Sequence, residues 1–139
     1  MIQLKTVCKV IDNSGAILVE CINVIGGSRI ASMGDEIVCV VKKARPATLE
    51  TGRASAASAS SAANMLTKLK QGDVSRALVV RCRKEVRRLD GTYVKFDDNA
   101  VVMLNKQQQP LGNRVLGVLA NECRQKRWAK VCSLGGRLV

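Results

Sequence analysis

Six cysteines are the side chains with the greatest capacity for chemistry in this sequence of 139 residues. They are Cys8, Cys21, Cys39, Cys82, Cys123 and Cys132. No two of them have the C-x-x-C spacing that is typical of zinc sites. The sequence contains no His, so a Ser or Cys nucleophile lacks its usual general base. We therefore predict that the protein is not an enzyme and holds no metal and no cofactor.

An enzyme with a cysteine nucleophile is the catalytic alternative, and it would show one thiol that electrophiles label rapidly. Against this, four of the cysteines lie within or beside apolar runs, namely Cys8, Cys21, Cys39 and Cys82. Free cysteine behaves as a small hydrophobic residue in such surroundings, so we predict buried thiols. No signal peptide is recognisable, and we expect a reducing compartment.

Positive charge is the second feature with a chemical consequence. The sequence has 23 Lys and Arg against 11 Asp and Glu, a formal net charge of +12. Arg81 to Lys95 carries six basic and two acidic residues, and Arg114 to Arg137 carries six basic and one acidic residue. Such an excess on a small domain indicates a polyanionic partner, and a nucleic acid is favoured over an acidic membrane surface.

The aromatic content indicates which nucleic acid is bound. Only Tyr93, Phe96 and Trp128 are aromatic, whereas proteins that read single strands stack bases on aromatic platforms. We therefore expect recognition of folded RNA through its shape and its phosphates. A free nucleic-acid-binding β-barrel of the RNA chaperone type is the alternative, and it would bind generic single strands.

The elements that must position these cations are mostly strands. The sequence has 18 Val and 7 Ile, and β-branched residues favour pleated sheets. We predict strands at Ala16 to Ile25, Glu36 to Lys43, Ala77 to Cys82 and Ala100 to Asn105, and a hairpin that turns at Asp90-Gly91. Short strands with regular turns and a terminal helix suggest one small barrel domain over residues 1–139. The longest apolar stretches are far shorter than the roughly 20 residues of a membrane span.

Two regions depart from the strand pattern. Ala54 to Ala63 contains only Ala and Ser, so we predict that residues 48–66 form an inserted, solvated loop. The C-terminal tail, residues 120–139, is predicted to be helical. Within it, Asn121 can cap a helix from Glu122 to Lys130.

The order of short motifs along the chain resembles the universal large-subunit ribosomal protein L-fourteen family. The motifs that carry the resemblance are Met1–Gln3, Asp12–Ala16, Gly26–Ser28, Gly34–Asp35, Lys70–Asp73, Ala77–Arg81, Arg87–Gly91, Phe96–Ala100, Pro110–Arg114 and Ser133–Leu134. They cover nearly the whole chain outside the Ala/Ser insertion. That insertion, about 18 residues longer than the bacterial pattern, resembles mitochondrial members, so the resemblance implies the mitochondrial matrix. The bacterial cytoplasm is the alternative.

The resemblance implies a mainly β fold, a closed five-stranded barrel with short C-terminal helices. It implies a structural constituent of the large ribosomal subunit that binds folded large-subunit rRNA at the face that meets the small subunit. The implied partners are L-three and L-nineteen type ribosomal proteins, small-subunit rRNA across an intersubunit bridge, and a ribosome silencing factor. The surface for the silencing factor or the small subunit then falls on Asn113, Arg114, Lys126 and Lys130.

The residues expected to contact RNA come from the basic clusters and their neighbours, because Lys and Arg displace counterions from phosphates. They are Lys42, Lys43, Arg45, Arg81, Arg83, Lys84, Arg87, Arg88, Arg114, Lys126, Arg127 and Lys130. We expect Arg87 and Arg88 in particular to hold RNA without supporting the fold.

Overall fold

A computed structural model describes residues 1–46 and 68–139 of the chain. The strands in this part are β1 (Val7–Val10), β2 (Ala16–Val24), β3 (Glu36–Ala44), β4 (Val74–Arg81), β5 (Val86–Arg87), β6 (Tyr93–Val94), β7 (Ala100–Leu104), β8 (Val118–Leu119) and β9 (Arg137–Leu138). The helices are α1 (Glu122–Gln125) and α2 (Ala129–Leu134). The predicted loop at residues 48–66 lies outside the described residues.

Five of the strands close into a barrel in the order β1-β2-β3-β4-β7. Neighbouring strands pair antiparallel, except that β1 and β7 close the ring in parallel. The short hairpin β5-β6 and the parallel pair β8-β9 form two small additional sheets. This architecture confirms the mainly β prediction of a closed five-stranded barrel with short C-terminal helices.

Alternating side chains fill the interior of the barrel. Ile37, Cys39 and Val41 are buried at every second position of β3, which is the period of a strand. The same interior holds the thiols of Cys8, Cys21 and Cys82, and none of these four cysteines is more than 2% exposed. The predicted burial of these thiols is therefore confirmed.

A second apolar layer lies outside the barrel wall formed by β4 and β7. Leu78 and Val80 of β4 point outward from the barrel, yet both are fully buried. They pack in one cluster with Leu119 and with Cys123 and Val131 of the C-terminal helices. Because Ala77–Val80 of β4 and the whole of β7 are covered on both faces, these stretches are continuous apolar runs rather than alternating ones.

The predicted helix from Glu122 to Lys130 is wrong, because two short helices take its place. Arg127, between α1 and α2, has a positive φ of 70°, and the Asn121 side chain makes no capping hydrogen bond. Residues two apart on a helix do not face the same side. The break allows Lys126 and Trp128 to contact the same loop, as their hydrogen bonds to residues 32–35 show.

The structure also differs from the prediction at the start of β4 and in the C-terminal tail. β4 begins at Val74 rather than at Ala77, because Val74, Ser75 and Arg76 pair with β3. The tail ends in β9, which pairs in parallel with β8. Residues 120–139 therefore contain a strand besides their two helices.

Candidate nucleic-acid interface

Six of the twelve cations predicted to contact RNA are exposed and available. They form no ion pair and no side-chain hydrogen bond with another described residue. They are Lys43, Arg45, Arg83, Arg87, Arg114 and Arg127. Their backbones belong to the barrel, to the β5-β6 hairpin and its approach, and to the C-terminal segment. The fold thus holds free cations on ordered elements.

Three more of the predicted cations are exposed and each has one polar partner. Lys42 pairs with Glu20, Lys84 with the adjacent Glu85, and the Lys130 Nζ donates to Gln109 Oε1 at 2.6 Å. Exposed pairs of this kind are worth only about 0–1 kcal/mol. A phosphate can therefore compete with these partners.

Arg81, by contrast, is bound within the protein. Its side chain is only 16% exposed, and its Nε donates to the Val118 carbonyl at 2.7 Å. Its Nη2 donates to the Leu116 carbonyl at 3.1 Å, and its Nη1 lies 3.5 Å from Asp98. Gly117 has a positive φ of 81°, which favours glycine, and a Cβ there would also lie 2.2 Å from Nη2 of the same guanidinium. Arg81 fastens the segment before α1 to the barrel.

Arg88 is also occupied by contacts within the chain. Its Nε and Nη2 reach the two carboxylate oxygens of Glu122 at 2.7 and 3.2 Å, a bidentate pair. Its Nη2 also donates to the Val139 carbonyl at 2.7 Å. Burial alone would raise the pKa of Glu122, but the hydrogen bonds and charge of Arg88 hold that pKa below its usual value. The arginine therefore joins the hairpin to α1 and to the C-terminus.

Lys126 and Trp128 bind the loop between Ser32 and Asp35. The Lys126 Nζ lies 2.7 Å from Asp35 Oδ1 and donates to the Met33 carbonyl at 3.0 Å. The Trp128 Nε1 donates to the Gly34 carbonyl at 3.0 Å. Trp128 was not among the predicted residues, and no local spacing in the sequence indicates its contact with a loop 94 residues away.

The turn after β1 positions Asn113 and Arg114. The Asn13 Oδ1 accepts hydrogen bonds from the backbone N–H groups of Asn113 at 2.9 Å and Arg114 at 3.3 Å. Its neighbour Asp12 is buried and binds Ser14 and the Met103 N–H, which anchors the turn to β7. Both predicted surface residues, Asn113 and Arg114, are exposed in this fixed loop.

Lys68 and Lys70 were missed by the sequence prediction and are exposed beside Arg45. The two lysines border the insertion in the sequence, which is the signal that could have included them. Their contacts with the turn after β1 depend on the closure of the barrel and could not be read from local spacing.

The thiols are poorly suited to nucleophilic chemistry. Burial raises the pKa of Cys8, Cys39 and Cys123 to about 12. Since the thiolate is the nucleophile, a thiol with such a pKa stays protonated and unreactive near neutral pH. Cys132 is less buried, and desolvation again raises its pKa. These environments weigh against the alternative of a cysteine enzyme.

Together, the fold and its side chains define a class: a small basic β-barrel that carries exposed cations with no ion pair among the described residues and that buries five of its six thiols. Over its whole length, residues 1–139, the sequence matches the family described as Ribosomal protein L14p/L23e. The chain is 50% identical over 139 residues to Large ribosomal subunit protein uL14m of Schizosaccharomyces pombe, with 100% of both chains covered. It is 51% identical over 134 residues to the protein of the same name from Neurospora crassa, with 96% of each chain covered.

The chain therefore belongs to the ribosomal protein L14p/L23e family. This membership confirms the resemblance that the motifs indicated, and with it a structural ribosomal role rather than an enzymatic one. The names of both relatives agree with the predicted large-subunit and mitochondrial assignment. Within the described residues, neither helix has the length and apolar character needed to cross a bilayer.

Proposed function

We propose that this chain is a structural constituent of the mitochondrial large ribosomal subunit, where it binds folded large-subunit rRNA and contributes to the face that meets the small subunit. The observation that carries the proposal is the set of six exposed cations on an ordered barrel that have no ion pair and no side-chain hydrogen bond with another described residue. The ordered backbone fixes the position from which each Lys or Arg side chain extends, so phosphate binding costs side-chain freedom but little backbone freedom.

The twelve predicted cations have different roles in this proposal. Lys43, Arg45, Arg83, Arg87, Arg114 and Arg127 contact phosphates, and Lys42, Lys84 and Lys130 join them by exchanging a weak partner. Arg81, Arg88 and Lys126 act chiefly on the fold, because each binds two or more groups of the protein. They position the free cations instead of contacting RNA themselves.

The finer partner assignments rest on the family resemblance. For the silencing factor we propose a surface at Asn113, Arg114 and Lys130, with Leu116 beside them. Leu116 is 62% exposed and lies two residues after Arg114, so it offers an apolar contact near a cation, a composition that suits a protein interface. Lys126, the fourth residue that the resemblance implied for this surface, instead binds Met33 and Asp35. The L-three and L-nineteen type proteins and the small-subunit rRNA bridge are proposed without residue assignments.

Sedimentation with ribosomal subunits tests the function. A tagged chain expressed in its own organism should co-sediment with large subunits from purified mitochondria after a high-salt wash. A protein of the RNA chaperone class would instead remain at the top of the gradient and would refute the proposal.

A charge-reversal variant tests the residue assignment in the same assay. Arg83→Glu with Arg87→Glu should enter large subunits poorly. The matched control, Lys5→Glu with Lys106→Glu, reverses two exposed cations outside the predicted set and should enter nearly normally. Equal losses for the two variants would mean that net charge alone matters and that the assignment is wrong.

A further inference from the structure

A basic cavity lies beside the turn after β1, between Arg45–Pro46 on one side of the insertion and Lys68–Lys70 on the other. The Arg45 N–H donates to the Gly15 carbonyl at 2.8 Å, and the Leu69 N–H donates to the Ser14 carbonyl at 3.0 Å. These two bonds hold the residues on both sides of the insertion against one turn. Between them is a cavity of about 430 Å³, within the range of about 300–1,000 Å³ that is usual for small-ligand pockets.

The charge of this cavity is positive. Arg45, Lys68 and Lys70 line it, and none of its described lining residues is acidic. The carboxylate of Asp12, in the same turn, is buried and already accepts hydrogen bonds from Ser14 and from the Met103 N–H. Asp73 accepts from the Lys70 backbone N–H and lines the neighbouring cavity rather than this one. An anion in the cavity would therefore meet cations.

The same cavity has an apolar wall, formed by Pro46 and Leu69. The cavity is larger than a single phosphate group needs, and its apolar wall makes no hydrogen bond or ionic contact with a phosphate. A ligand that fits both features has an anionic group joined to a flat, weakly polar group. A nucleotide has this combination, because its phosphate can meet the cations while its base or ribose makes van der Waals contact with Pro46 and Leu69.

We propose that this cavity receives one unpaired nucleotide of the large-subunit rRNA, with its phosphate among Arg45, Lys68 and Lys70 and its base against Pro46 and Leu69. The proposal rests on the proposed function, since it specifies what one part of the rRNA interface binds. The nucleotide belongs to a loop or a bulge, because extracting a paired base costs a few kcal/mol. An acidic peptide fits both features only if an apolar side chain flanks its carboxylate, and failure of both nucleotides to bind would overturn the proposal in favour of such a ligand.

Nuclear magnetic resonance of the ¹⁵N-labelled full chain tests the ligand class. Uridine monophosphate, adenosine monophosphate and inorganic phosphate are titrated separately at millimolar concentration. We expect both nucleotides to shift the backbone amides of Gly15, Arg45 and Leu69 and to bind several-fold more tightly than inorganic phosphate. Equal binding of phosphate would show a simple anion site and overturn the nucleotide assignment.

Filter binding of the transcribed large-subunit rRNA tests the source of the nucleotide. The pocket variant carries Arg45→Gln, Lys68→Gln and Lys70→Gln. The matched control carries Lys5→Gln, Arg29→Gln and Lys106→Gln, three exposed cations at other places on the surface. At about 0.15 M salt we expect the pocket variant to bind about tenfold more weakly than the control, since it loses its phosphate contacts. Both variants should keep the melting temperature of the parent.

Each result distinguishes this proposal from the function on which it rests. If the parent binds rRNA and the two variants lose the same affinity, the cavity is not an rRNA contact and the proposal fails while the function stands. If nucleotides shift the amides but rRNA affinity is unaffected in the pocket variant, the ligand is a free nucleotide and the rRNA source is wrong. If the parent does not bind rRNA, the proposed function itself fails.

Discussion

Arg87 and Arg88 are adjacent in the sequence, yet their side chains meet different surroundings. Arg87 is exposed and stands opposite the exposed Tyr93 in the hairpin. Arg88 binds Glu122, which is only 9% exposed, and the C-terminal carbonyl. The expectation that neither arginine supports the fold therefore disagrees with the contacts of Arg88, and it agrees with the exposure of Arg87.

We expect separate substitutions of the two arginines to show that Arg88 contributes to stability and that Arg87 contributes to RNA binding. Arg88→Met leaves the Glu122 carboxylate without its partner, and we expect a loss of about 1–3 kcal/mol in the free energy of unfolding. Arg87→Met should change that free energy by less than about 0.5 kcal/mol, while it weakens rRNA binding. Urea unfolding and filter binding of both variants provide the comparison. Equal stability of the two variants would refute a structural role for Arg88.

At the scale of elements, the C-terminal segment is held to the barrel by ion pairs that depend on pH. Burial alone would raise the pKa of Asp35, but hydrogen bonds from Lys126 and Ser32 hold it below its ordinary value of 3.8. The pKa of Glu122 is likewise held below 4.5 by Arg88. A carboxyl whose folded pKa is depressed stabilises the fold fully above its unfolded pKa, and this contribution is lost as the pH falls through the folded pKa.

We therefore expect the free energy of unfolding to fall as the pH drops below about 4.5. Urea unfolding at pH 6, 4.5 and 3 measures this dependence. The double variant Asp35→Asn with Glu122→Gln should start less stable at pH 6 and show a flatter dependence. Burial raises the pKa of Asp12, although its hydrogen bonds oppose the shift, so Asp12 acts in the opposite sense. Because both proteins retain Asp12, any difference between their pH dependences comes from Asp35 and Glu122. Parallel curves of unfolding free energy against pH would contradict the role of the ion pairs.

The insertion is the other element with a testable consequence. Arg45 and Leu69 are bonded to neighbouring residues of one turn, so the chain ends that flank residues 47–67 already lie close together. On the prediction that residues 48–66 form a solvated loop, shortening it changes the closure entropy by only about 0.6 kcal/mol per halving. We expect a deletion that joins Ala47 to Lys68 to fold with nearly parental stability and to keep its affinity for rRNA.

Urea unfolding of this deletion protein, with complementation and subunit profiling of the deletion strain, checks the prediction. The contact that should be lost is one peculiar to the organellar ribosome, made with a neighbouring protein or RNA segment. A deletion protein that cannot fold in isolation would show that the segment belongs to the barrel.

At the scale of the whole molecule, the net charge of +12 should dominate the affinity for RNA. With about six to eight phosphates contacted, the logarithm of the affinity should fall against the logarithm of salt concentration with a slope of roughly −4 to −7. Filter binding of large-subunit rRNA between low and moderate salt measures this slope. A slope near −1 would refute an electrostatic mechanism.

Much of the molecule follows from local patterns in the sequence. Alternation along β3 and the continuous apolar runs Ala77–Val80 of β4 and Ala100–Leu104 of β7 reflect which faces of each strand are covered, so strands are visible without the structure. The order of the motifs identified the family, and the family determined the closed barrel. The burial of Cys8 and Cys39 follows from their apolar neighbours along the chain.

Only the tertiary structure shows which cations bind other parts of the protein and which remain exposed. Nothing next to Lys126 indicates that it binds Asp35, 91 residues earlier, and nothing next to Arg88 indicates Glu122, 34 residues later. These contacts also override local helix propensity, since the break at Arg127 lets Lys126 and Trp128 reach one loop. Local periodicity records how each element is buried. The partner of a long charged side chain depends on which distant segments the closed barrel brings together. Two adjacent residues of the same type can therefore differ in role, one stabilising the fold and the other contacting RNA.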